Sequence, residues 1–165
     1  MKSLQRSENY IRNIVFGVED SLVSTVGLLS GIASAGIGSH TILLTGVVLI
    51  FVEAFSMAAG SLLSENSVEE YEEHREMPLA SGYSAAVVMF VSYFVSGFVP
   101  LLPYICLEPS VALPVSIFTS LLGLLLLGVF SGSYFRINIV HNGLKMLFIG
   151  GIAIIIGTFA GILLR

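Results

Sequence analysis

The chain has 165 residues, of which 55% are hydrophobic and 11% charged, with a net charge of −4. Soluble domains carry about 25% charged residues, so this composition excludes an ordinary soluble domain and points to an integral membrane protein. No basic patch or aromatic-basic interleaving suggests nucleic acid, and the single cysteine, Cys106, excludes an intrachain disulfide framework and a CxxC metal site.

The N-terminal stretch carries Lys2, Arg6 and Arg12 ahead of an apolar run that ends near Ala33-Ser34-Ala35. A cleavable leader has a short apolar region without charge. Glu19 and Asp20 interrupt this one, so it reads as a retained membrane helix. About 20 mostly apolar residues cross a bilayer as a helix. In chain order the spans are predicted at Ile14–Ala35, Thr41–Leu63, Leu79–Leu102, Val111–Phe130 and Leu144–Leu164. The fold class is therefore all-α, one five-helix transmembrane domain over residues 1–165. A short acidic helical segment at 64–78 is expected on the cytoplasmic side, and Pro100 and Pro103 should end or kink the third span. Lys2, Arg6, Arg12, Arg75, Arg136 and Lys145 fall on one side and Arg165 on the other. The positive-inside rule then puts the N-terminus in the cytoplasm and the C-terminus outside or in a lumen.

Acids inside a span are rare, face the protein interior or a wet cavity, and mark function. Glu19, Asp20 and Glu53 are such acids. At about 100° per residue, Asp20, Ser24, Gly27 and Gly31 share one face of the first helix, with Gly27 and Gly31 in a GxxxG pattern suited to close helix packing. Gly46, Glu53, Met57, Gly60 and Ser64 form a comparable stripe on the second. Counted from the cytoplasmic helix ends, Asp20 and Met57 both lie roughly 9 Å deep at 1.5 Å per residue, with Glu53 one turn deeper. A carboxylate and a thioether at one level suit a cation of mixed preference such as ferrous iron, whereas carboxylates alone suit Mg²⁺ or Mn²⁺. Core packing is the plainer role for Met57. Asp20 could instead be held by a structural hydrogen bond, and Glu19 could reach the interface. Beyond the second span, Glu65, Glu69, Glu72, Glu73 and Glu76 fall within a sector of about 100° on a continued helix. They suit either cytoplasmic collection of divalent cations or a solvated acidic exit.

With these residues placed, the chain resembles the vacuolar iron transporter family. The residues that carry the likeness are Arg12-Asn13-Ile14-Val15-Phe16-Gly17 followed by Asp20-Ser21-Leu22-Val23-Ser24-Thr25, and Ala54-Phe55-Ser56-Met57-Ala58-Ala59-Gly60. The ending around Gly143, Gly150, Gly157 and Gly161 is similar as well. The resemblance implies five transmembrane helices, a homodimer with the ion path between subunits, and Fe²⁺, often Mn²⁺, carried out of the cytosol in exchange for protons. It implies Asp20 and Met57 as pathway residues, a plasma-membrane location in a prokaryote and a vacuole-like organelle in a eukaryote. Ser21 stands where the family usually has Gly and Ser61 where it usually has Glu. Glu19 and Glu53 are additions, and only Ser64–Pro78 occupies the place of the larger members' cytoplasmic metal-binding domain. No prosthetic group is expected, metal and H⁺ being substrate and coupling ion. No hydrolase motif such as GxSxG or HExxH is present, so an enzyme is not expected. The alternative reading is a non-transporting membrane subunit for metal sensing or assembly.

Overall fold

A computed structural model describes residues 2–76, 78–79 and 82–165, with side chains placed from residue 9 onward. Five helices account for nearly all of it: α1 (Lys2–Ser34), α2 (Ser39–Glu73), α3 (Tyr83–Cys106), α4 (Pro109–Tyr134) and α5 (Ile139–Leu163). Each is long and apolar enough to cross a membrane, and no strand occurs among the described residues. An apolar solvent offers no partner for a free amide, so a chain of this composition satisfies its backbone within each helix. Phe55, Phe148, Ile155 and Phe159 are among the many large apolar side chains left exposed. In this protein such surface faces lipid.

The helices run further than hydropathy alone indicates. Proline does not stop α3, which continues through Pro100 and Pro103 to Cys106. Ser116 of α4 donates to the Pro100 carbonyl at 2.6 Å and ties this stretch of α3 to the neighbouring helix. The acidic segment expected at 64–78 is not a separate helix. Ser64 to Glu73 prolongs α2 without a break, and His74 then caps it in the left-handed conformation (φ 52°). Clustered acids oppose the negative end of the helix dipole, and Pro78 lies close beyond, so the helix ends there. Glu76 consequently leaves the sector it was expected to share with Glu65, Glu69, Glu72 and Glu73. Met77, within the same predicted segment, lies outside the described residues.

α1 sits at the centre, and α2, α3, α4 and α5 form an arc around it in chain order, with α2 and α5 at the two ends. Its contacts with α3 and α5 are close, and its contact with α2 is slighter. Against α5 it packs backbone to backbone. A Cβ on Gly31 would stand 2.7 Å from the Gly157 carbonyl, while one on Gly157 or Gly161 would strike the carbonyl of Gly27 or Gly31. This is the close approach that small residues permit between membrane helices. Gly60 differs, because nothing lies within 4 Å of the place its Cβ would take. Among the described residues, no neighbouring helix closes on it there.

Candidate functional site

One polar and one apolar contact align α1 with α2. Near the N-terminal end of α1, the Asn13 amide donates to Ser61 Oγ at 3.0 Å and to the Ala85 carbonyl at 3.3 Å. Asn13 is buried, and a buried amide with two acceptors on two other helices ties all three together. Toward the other end, Leu29 and Leu101 pack over Gly46. The two helices run antiparallel between these points. Seven residues beyond Asn13 is Asp20, and seven residues back from Ser61 is Ala54, next to Glu53. The Asp20 and Glu53 carboxyls are close enough for their charges to interact.

Asp20 therefore lies level with Glu53, and Met57 lies about one turn nearer the N-terminal end of α1, opposite Gly17. This differs from the depth obtained by counting residues inward from the ends of the apolar runs. That count treats both helices as starting in one plane, whereas α1 and α2 each extend beyond the apolar run by different lengths. Asp20, Glu53 and Met57 are all half-buried.

Glu19 takes another direction. Its electrostatic partner of opposite sign is Lys145 on α5, with Asp20 beside it. The two adjacent acids of α1 thus serve different neighbours, Asp20 toward α2 and Glu19 toward α5. Among the described residues, no group of three or more His, Cys, Asp or Glu side chains converges as a metal cluster.

The stripe on α2 is closed at one end and open at the other. Beyond Glu53, Ile50 and Ile42 join Leu29, Leu101, Tyr104 and Ala112 in a buried apolar cluster. In the opposite direction the stripe passes half-buried Met57 to the open space at Gly60. Further along the same helix, Asn66 is buried and donates to Glu70 Oε1 at 2.9 Å. Among the described residues, Asn66 Oδ1 and Glu69 Oε2 are buried acceptor oxygens with no hydrogen-bond donor. Buried acceptors without donors are costly. Glu72, Glu73 and Glu76 are exposed, and Glu73 lies 3.8 Å from Arg75 in a solvent-facing pair.

Several residues escaped the sequence reading. In the sequence Asn13 carries no signal beyond its place in the family-like signature, and nothing there links Tyr93 or Lys145 to the acids. Tyr93 is fully buried in α3, with its hydroxyl 2.7 Å from Ser24 Oγ and its carbonyl accepting from Ser21 Oγ at 2.7 Å. A phenol in the middle of an apolar span is itself a signal, since a buried O–H requires a partner. The two serines that depart from the family pattern both have structural partners: Ser21 bonds α3, and Ser61 receives Asn13.

In a polytopic helical membrane protein, acids inside the span mark a functional site, often on a substrate or ion path. The family model of the VIT family matches residues 11–78 and 72–162, nearly the whole chain, and the protein belongs to that family. No curated protein matches the chain. Members of that family are membrane metal-ion transporters.

Proposed function

We propose that the protein carries Fe²⁺, and Mn²⁺ as a second substrate, out of the cytosol in exchange for protons. What supports this reading is the α1–α2 register, which sets Asp20 level with Glu53 and within electrostatic reach of it, inside the membrane span. Two carboxylates brought together repel when both are ionised. A divalent cation or a shared proton relieves that repulsion, so one site accommodates either. A ligating carboxylate must be deprotonated, and metal binding therefore releases protons. Competition of this kind couples the two fluxes.

With the N-terminus cytoplasmic, the open end of the stripe faces the cytosol and the apolar cluster around Leu29 and Ile50 closes the other side. Cations gathered at Asn66 and Glu69, with Glu65 and Glu72 nearby, pass Met57 before reaching Asp20 and Glu53. The thioether supports Fe²⁺ over harder ions at that step. The family's dimeric arrangement suits the arc, because a second copy can cover the stretch of α1 between α2 and α5.

The test is Fe²⁺ uptake into proteoliposomes that hold purified protein and an interior pH dye, with Asp20→Asn alongside. Iron movement with opposite proton movement, lost in the variant, supports the assignment. Absence of flux from folded, inserted wild-type protein removes it and leaves the sensing or assembly subunit.

A further inference from the structure

Tyr93 holds α1 at two points within one turn beyond Asp20. Its carbonyl accepts the hydroxyl of Ser21, the next residue along, and its phenol bonds Ser24, one turn further on the face of Asp20. The same helix carries α2: Ile50 packs against Gly97, and Phe51 meets Phe94 edge-on with ring centroids 5.0 Å apart. Direct contact between α1 and α2 is slight by comparison, so α3 is the frame on which the two acids are brought together. The phenol also lies within electrostatic reach of both carboxyls.

We propose that Tyr93 is a positioning residue for the Asp20–Glu53 pair, its bond to Ser24 fixing the rotation of α1 at which both carboxylates reach one cation. The inference rests on the reading of those acids as cation ligands. Geometry makes the requirement strict. Turning a helix by about 20° moves a side-chain oxygen some 5 Å from its axis by roughly 1.7 Å. Metal–oxygen bonds of about 2.0–2.6 Å do not survive such a shift. Tyr93→Phe removes the outer of the two holds and leaves the ring, its packing and the Ser21 bond in place.

The experiment titrates purified full-length protein in detergent with Co²⁺ by calorimetry, and measures Fe²⁺ uptake and thermal unfolding in parallel. Tyr93→Phe and Ser24→Ala are made singly, together, and each on the Asp20→Asn background. Each single variant is expected to bind Co²⁺ roughly tenfold more weakly, the size of loss seen when the partner orienting a ligand is removed. KM for uptake should rise while the maximal rate per folded protein holds. The double variant should be no weaker than either single one, Ser24→Thr should recover affinity, and on the Asp20→Asn background neither change should matter. Wild-type affinity in folded Tyr93→Phe, with only a lower melting temperature, overturns the proposal. If Tyr93→Phe does not fold, Ser24→Ala decides, since it breaks the same bond from the other side. Wild-type protein that binds no Co²⁺ and moves no Fe²⁺ overturns the transport reading and this inference with it.

Discussion

Asn13 donates to Ser61 at 3.0 Å, a direct polar tie between α1 and α2 at the register that sets Asp20 level with Glu53. From it the antiparallel register leads to Glu53, with Met57 a turn away. Truncation of Asn13 to Ala removes its bonds to Ser61 and to the Ala85 carbonyl and leaves a gap in a buried position. The expected loss is about 1–3 kcal/mol of stability, with reduced Fe²⁺ uptake because the register loosens. Thermal unfolding in detergent and uptake assays check this, and an unchanged melting temperature would show the bond to be dispensable.

Met57 and the acids should separate by metal type. Met57→Ala is expected to raise KM for Fe²⁺ or Co²⁺ several-fold and that for Mn²⁺ less, because a thioether favours the softer ions. Glu53→Gln should impair all three, since it removes charge from the pair itself. Competition uptake with each metal decides the point; equal losses across metals in Met57→Ala would assign that side chain to packing.

The proposed exchange has a defined sign in pH. Carboxylates bind metal only when deprotonated, so acidifying the side from which metal is taken up should raise the apparent KM, and saturating metal should restore the rate. Alkalinising that side should lower KM until protonation no longer competes. A KM independent of pH in wild-type vesicles would contradict a shared site.

Glycines that look alike in sequence should respond oppositely. In Gly157→Ala the new methyl group meets the Gly27 carbonyl, and backbone cannot yield as a flexible side chain can. Forcing α1 and α5 apart is expected to cost about 1–3 kcal/mol or more. In Gly60→Ala the methyl group enters open space, and alanine is favoured over glycine within a helix by about 1 kcal/mol. Paired unfolding measurements test both; equal destabilisation would contradict the α1–α5 contact.

The two carboxyls of Glu19 and Asp20 show how far sequence reasoning reached. Their rarity within an apolar run marked them, and helical periodicity separated their directions by about 100°. Which neighbour each would find was not available, because periodicity locates residues around one helix axis and says nothing about the adjoining one. Only packing brought Lys145 within electrostatic reach of Glu19 and Glu53 within reach of Asp20.

Composition by itself determined five membrane helices, since a bilayer leaves backbone amides no other partner and the length of an apolar run fixes whether it spans. It also determined which side chains are too costly to be there by accident. Tertiary structure decided the register of α1 against α2, the passage of α3 through its two prolines, and the placing of Tyr93 against Ser24. These depend on contacts between residues far apart in the chain, such as Asn13 with Ser61, where one hydrogen bond selects among positions that hydrophobic surface alone leaves nearly equivalent.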